Sequence, residues 1–238
     1  MNERKIAAVV GVGPGLGAAV ARRFASEGYR VALMARTAAS AAPVEKAIAE
    51  SGGDGRFIAV DATEASSVKD AFARVASDMG APEVLVYNAG AFQMGGILDV
   101  TPEEFERCWR ANCLGGFLAT QAVLPAMLDR GRGTILFTGA TASLRGSARF
   151  SCLAVGKFGL RALGQSLARE VGPRGVHVAH VVVDGQIDTP RLRAMSPDRS
   201  LETVLAPDAI AETFWQLHRQ DRTAWTHEID VRPAVEKF

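Results

Sequence analysis

Short, nearly continuous apolar runs recur along the chain, each followed by a longer stretch in which apolar residues return every three or four positions. The runs fall at 6–10 (IAAVV), 31–35 (VALMA), 57–60 (FIAV), 84–87 (VLVY), 134–137 (TILF) and 176–183 (VHVAHVVV). Runs of this length, apolar on both sides, predict strands buried on both faces of a parallel sheet. The intervening stretches read as helices. Residues 16–27 place Leu16, Val20 and Phe24 at spacing four before Gly28 ends the pattern, and 65–79 place Val68, Phe72 and Val75 likewise, with Thr63 or Ser66 as a cap. Thr101 followed by Pro102-Glu103-Glu104 reads as an N-cap and first turn, and helices are predicted over 110–129, 149–171 and 207–219. Strand–helix units in this alternation predict an α/β, Rossmann-type, doubly wound parallel sheet with helices on both faces.

No repeat, low-complexity block or flexible linker divides the chain, so a single domain over 1–238 is expected. The one region read as irregular is 188–206, with Pro190, Pro197, Arg191, Arg193 and Arg199, where a lid-like insertion over a substrate would sit. At 238 residues, 48% hydrophobic and 22% charged, the chain has ample apolar matter for a folded core. A formal charge of +1 leaves no electrostatic footprint for nucleic acid and no polybasic segment for a membrane surface. The apolar run at 6–10 is far too short for a signal sequence, and no stretch reaches 18 uninterrupted apolar residues, so a soluble cytoplasmic protein is expected. Three cysteines without paired spacing (Cys108, Cys113, Cys152) point to neither a disulfide framework nor a metal site. The basic residues divide unevenly, 22 Arg against five Lys, and the only tyrosines are Tyr29 and Tyr87.

The sharpest local pattern is Gly11-Val12-Gly13-Pro14-Gly15-Leu16-Gly17, directly after the first strand and opening the first helix. Glycines there permit a tight turn and let backbone N–H groups approach a pyrophosphate at a helix N-terminus. An NAD-selecting acid is expected about 20 residues further on, at the end of the second strand, to bond the ribose 2′-hydroxyl. Ala35-Arg36-Thr37 stands in that place, with no carboxylate and with a guanidinium suited to a 2′-phosphate, which favours NADP (NADPH) over NAD.

With Gly11, Gly15 and Gly17 in the spacing G-x-x-x-G-x-G, the sequence resembles the short-chain dehydrogenase/reductase family, and the resemblance extends over nearly the whole chain. Asp61-Ala62 matches the pair whose acid contacts adenine in that family, and Asn88-Ala89-Gly90 matches its NAG motif. Asn112, with Gly115 and Phe117, resembles the N-x-x-G-x-F segment, and Lys157, with Phe158 and Gly159, the lysine of Y-x-x-x-K. Asp184-Gly185-Gln186-Ile187-Asp188-Thr189-Pro190 is similar to PG-x-[IV]-x-T-P, with Asp184 in place of Pro. The resemblance implies seven strands in the order 3-2-1-4-5-6-7, the last near 225–233, and a homodimer or homotetramer acting on a small-molecule substrate. It implies a cofactor site formed by Gly11, Gly13, Pro14, Gly15, Leu16, Gly17, Arg36, Asp61, Ala62, Asn88, Ala89, Gly90, Lys157, Ile187 and Thr189. Lys157 and Asn112 are the residues it carries over to catalysis.

The central acid–base pair of the family does not match. Its tyrosine position holds Leu153 and its serine position, thirteen residues earlier, holds Ala140; neither tyrosine of the chain is nearby. A positioned general acid contributes about 10²–10⁴-fold, whereas hydride transfer depends chiefly on cofactor orientation. Three readings therefore stay open. Another group supplies the proton, Lys157 first because desolvation lowers an ammonium pKa, with Thr141 or Ser143 orienting or relaying it, or capping a turn. Cys152 is adjacent but lies about 100° around the helix from Leu153. Alternatively the substrate needs no strong acid, as with an activated C=C or C=N bond, or the chain binds NADP(H) without turnover as a sensor or partner. Asn112 can equally bond backbone at a helix kink; His177 and His180 read as structural, and Cys108 and Cys113 as small packing residues.

Overall fold

A computed structural model describes residues 5–236. Its strands are β1 (Ile6–Val10), β2 (Arg30–Ala35), β3 (Asp54–Ala59), β4 (Val84–Tyr87), β5 (Gly133–Thr138), β6 (Val176–Val183) and β7 (Glu228–Val231). All pair in parallel, in the order β3-β2-β1-β4-β5-β6-β7. The chain winds outward from β1 to β3, then returns beside β1 with β4, so the direction of winding reverses between β1 and β4. That reversal opens a crevice beyond the carboxyl ends of the two strands, where sheets of this kind bind ligands.

The helices are α1 (Leu16–Ser26), α2 (Ala38–Glu50), α3 (Ala65–Asp78), α4 (Pro102–Trp109), α5 (Gly115–Asp129), α6 (Ser151–Val171), α7 (Pro190–Met195) and α8 (Pro207–His218). Alternate residues of β1 face opposite layers, as the two-residue period of a strand requires. Ala7 and Val9 join Leu33, Phe24, Phe214 and Trp215 under α1, α2 and α8. Ile6, Ala8 and Val10 join Leu85, Tyr87, Phe72 and Val123 under α3, α5 and α6. Gly28, at φ +85°, ends the first helical segment as its position suggests. Thr101 is a full N-cap: its side chain accepts from Glu104 N at 3.2 Å while the Glu104 carboxylate accepts from Thr101 N at 3.0 Å.

Several details depart from the sequence pattern. Helix α2 has no predicted counterpart: its run AASAAPVEKAIAE buries only Ala41, Val44 and Ile48 and carries Pro43 inside it. Strand β3 starts at Asp54, not 57, because its first residues are polar or small and only half covered beside the sheet edge. Neither Thr63 nor Ser66 caps α3, whose N-cap is Glu64; the Thr63 hydroxyl donates instead to Asp61 Oδ1 at 2.7 Å. The 188–206 segment is not the sole irregular one, since 88–101 and 139–150 also leave regular structure apart from one short turn, Thr141–Ser143. The 188–206 segment itself contains α7 and is closed at its base by the Ile187–Leu205 bridge. A π-helical turn, Arg110–Leu114, joins α4 to α5. The continuous run Pro102–Asp129 is the one described helix long and apolar enough to cross a membrane by length and composition; here Ala119, Val123 and Met127 pack it beneath the sheet.

Candidate active site

The glycine turn is built by close approach. Gly11 has φ +93°, and a Cβ there would sit 2.4 Å from Ala89 N, so only glycine fits. Its N–H donates to Met34 O at 2.9 Å, and its carbonyl accepts from Asn88 Nδ2 at 3.0 Å. Asn88 thereby locks β4 to the turn. A Cβ on Gly17 would lie 2.4 Å from Gly11 O, so glycine there lets α1 start close against the turn. At Gly13 a Cβ would meet no protein atom within 4 Å, so this residue borders open space.

That space is a cavity of about 700 Å³ lined by Gly11, Gly13, Arg36, Asp61, Ala62 and Asn88-Ala89-Gly90, among others. Arg36 and Thr37 form its wall beyond β2. The Asp61 carboxylate accepts from Thr63 Oγ1 and Thr63 N, at 2.7 and 2.9 Å, and these bonds hold it below the usual carboxylate range, with the Arg36 charge adding to the effect. Phe92, Arg107 and Arg191 also line the cavity. In the sequence Arg191 stands out only as one arginine of the 188–206 segment, and Arg107 and Phe92 give no local signal, being a helix-surface arginine and a loop phenylalanine.

Pro14, Gly15, Leu16, Gly17, Asn112, Lys157, Ile187 and Thr189 are not among the lining residues of this cavity. Thr189 nonetheless reaches the glycine turn, for a Cβ on Gly15 would come within 2.9 Å of Thr189 Cγ2. Its hydroxyl caps α7 by accepting from Leu192 N at 3.1 Å. Asn112 lies in the π-helical turn and is fully buried; its Nδ2 donates to Ala91 O at 2.7 Å and Cys108 O at 2.9 Å, so it does bond backbone where the helix deforms. Its Oδ1 is buried without a hydrogen-bond partner. A Cβ on Gly90 would come 2.8 Å from that oxygen and 3.8 Å from Lys157 Nζ, so the two catalytic candidates converge on Gly90. Lys157 Nζ donates to Thr138 O at 2.7 Å, and burial pushes its pKa down to about 8.

The open hydroxyl and thiol candidates separate clearly. Ser143 is buried and its Oγ accepts from Ala140 N at 3.1 Å, a turn-capping role. Cys152 is buried against Cys108. Thr141 is half-buried, and its Oγ1 donates to the Asp184 carboxylate. His180 bonds Glu228 Oε2 through Nδ1 at 3.0 Å, while Arg161 grips the same carboxylate at 2.7 and 2.8 Å; His177 stacks on Trp225 at 4.8 Å. Both histidines belong to the framework. No metal-ligating cluster of His, Cys, Asp or Glu occurs among the described residues.

Residues 5–200 match the family model described as short chain dehydrogenase. The chain is 34% identical over 188 residues to the 3-oxoacyl-(acyl-carrier-protein) reductase MabA of Mycobacterium avium, covering 79% of this chain and 69% of that one. Its structure superimposes on a short-chain dehydrogenase from Rhodopseudomonas palustris with a TM-score of 0.84 and 36% identity, over 96% of this chain and 98% of the other. A metagenomic short-chain oxidoreductase solved in complex with NADP gives a TM-score of 0.85 at 29% identity, over 97% and 98% of the two chains.

Proposed function

Because the chain belongs to the short-chain dehydrogenase family, we propose that it is an NADP-dependent oxidoreductase acting on a small organic substrate, with a proton donor other than tyrosine. The observation that carries the reading is the crevice itself: a glycine turn at a helix N-terminus, with Arg36 and no carboxylate on the wall beyond β2. The residues present fit the dinucleotide, since the space bordered by Gly13 is free of protein and the donor set suits an anion. The N–H groups of the Gly11–Gly17 turn that are not already committed to Met34 O or Gly13 O would face the pyrophosphate, Arg36 the 2′-phosphate, and Asp61-Ala62 the adenine. Asn88-Ala89-Gly90 would form the inner wall, with Asn112 and Lys157 beside Gly90 and Thr189 beside Gly15. When bound, the nicotinamide supplies hydride chemistry.

The chain's own contribution is orientation and proton handling. Lys157, with a pKa of about 8, is protonated near neutral pH yet more acidic than an ordinary ammonium, so it can release a proton at a site where Leu153 and Ala140 offer none. The substrate class follows: a carbonyl, or an activated C=C or C=N bond whose reduction demands little of a general acid. Fluorescence titration tests the cofactor, with NADPH binding at least tenfold more tightly than NADH; equal or absent affinity for both would falsify it. The same two positions, Ala140 and Leu153, favour a second reading, an NADP(H)-binding sensor or partner. A stable NADPH complex that turns over no ketone, enone or imine would establish that reading instead.

A further inference from the structure

We propose that Thr141 and Asp184 form a substrate-recognition pair that accepts a hydrogen bond from a hydroxyl or N–H group carried beside the reacting carbon; this rests on the oxidoreductase reading above. The two residues stand just past the carboxyl ends of neighbouring strands, β5 and β6, on the rim where sheets of this topology bind ligands. Thr141 Oγ1 donates to Asp184 Oδ1, and the other carboxylate oxygen lies 3.4 Å from Arg232 Nη1. Asp184 is only 7% exposed, so its charge is held by these groups and not by bulk water. Thr141 remains partly open.

The direction of the bond decides the chemistry. A carboxylate cannot donate, so the threonine proton is committed to Asp184 and the free lone pairs of Oγ1 can only accept. The adjacent negative charge polarises the hydroxyl and strengthens it as an acceptor. The neighbouring positions offer little competition: position 140 is a methyl, position 153 is aliphatic, and Ser143 is buried on the Ala140 amide. The pair is also bracketed by the rest of the site. Thr138, three residues before Thr141, accepts from Lys157, and Thr189, five residues after Asp184, fills the space a Cβ on Gly15 would need. Asp184 occupies the position where the family pattern carries proline, a residue with no side-chain polar group, so the acceptor is particular to this chain's version of the site. Loops 88–101 and 139–150 meet through Phe92, which lines the cavity, and Phe150, with ring centroids 5.5 Å apart.

Calorimetry on the NADP+-loaded protein tests this with cyclohexane-1,2-diol and cyclohexanol, which differ by one hydroxyl. The unaltered chain is expected to bind the diol about tenfold more tightly, the worth of one hydrogen bond to a charge-polarised partner. Thr141→Val removes the difference, and Thr141→Ser restores it. Asp184→Asn, which can donate its amide to Thr141 and release the hydroxyl proton toward the ligand, shifts preference toward cyclohexanone. Equal affinity for diol and cyclohexanol in the unaltered chain overturns the inference, as does a diol preference that survives in Thr141→Val. Turnover is scored separately: a chain that shows the binding preference but never reduces NADP+ overturns the oxidoreductase reading, not the recognition pair.

Discussion

The ammonium of Lys157 and the carbonyl of Thr138 lie 2.7 Å apart, tying α6 to the last residue of β5 with an almost fully buried cation. A charge in this position is costly, and burial lowers its pKa from the ordinary 10.5 to about 8. An aliphatic side chain would pack there at lower cost, so the buried lysine fits the proton-handling role proposed for it.

The cost has a sign that can be measured. Below pH 8 both folded and unfolded chains carry the proton, and the penalty is present in full. Between pH 8 and 10.5 the unfolded chain binds the proton and the folded one does not, so stability contributed by this group rises with pH, by up to about 3 kcal/mol. Urea midpoints of the cofactor-free protein should rise over this window relative to Lys157→Met. Parallel pH profiles for the two would show that Lys157 titrates normally.

Arg36→Ala should weaken NADPH binding tenfold to a hundredfold while leaving NADH unaltered, because only the 2′-phosphate loses a charge-assisted partner. Titration of both dinucleotides against the variant checks this. An equal loss for the two would place Arg36 elsewhere than at the ribose phosphate.

Two glycines of one turn should behave oppositely. Gly13→Ala adds a methyl where no protein atom lies within 4 Å, so the melting temperature should hold while NADPH affinity falls at least tenfold. Gly17→Ala drives a methyl to 2.4 Å from Gly11 O and should destabilise the fold by about 1–3 kcal/mol before any ligand is added. Thermal melts with and without NADPH separate the two effects.

Acid should unfold the protein partly through its framework histidines. Burial pushes His180 and His218 down to about 4, below the ordinary 6.5. Between those values the unfolded chain binds protons that the folded chain does not, so stability falls as pH drops from 6.5 toward 4. His218, which bonds Tyr29 Oη at 2.7 Å and Thr134 Oγ1 at 2.9 Å, is the cleaner probe. His218→Gln should flatten the acid limb of the unfolding curve; a limb of unchanged steepness would assign it to other groups.

What the sequence made legible follows from how strongly each element is patterned. Strands such as β6, buried at all eight positions, announce themselves as unbroken apolar runs, and the glycine turn is visible because its spacing is a steric demand. Helix α2 lay hidden because Ala-rich residues around Pro43 give a shallow apolar face. The π-helical turn at Arg110–Leu114 leaves no trace in periodicity, although it is what turns the Asn112 amide onto Ala91 and Cys108. Lys157 and Asn112 could be named from the chain but not brought together, since their meeting at Gly90 is a product of α6 packing on that turn. Asp184 was visible only as a substitution for proline; its bond to Thr141 required the ends of two strands to be placed side by side.

NADPH carrying deuterium at the transferable C4 position would show whether this crevice performs hydride transfer. The protein would be incubated with a panel of ketones, enones and imines, and the products analysed by mass spectrometry. One deuterium is expected in the product of at least one class, lost in Lys157→Met and retained in Thr141→Ser. NADPH bound tightly, with no deuterium transferred to any class, would contradict it.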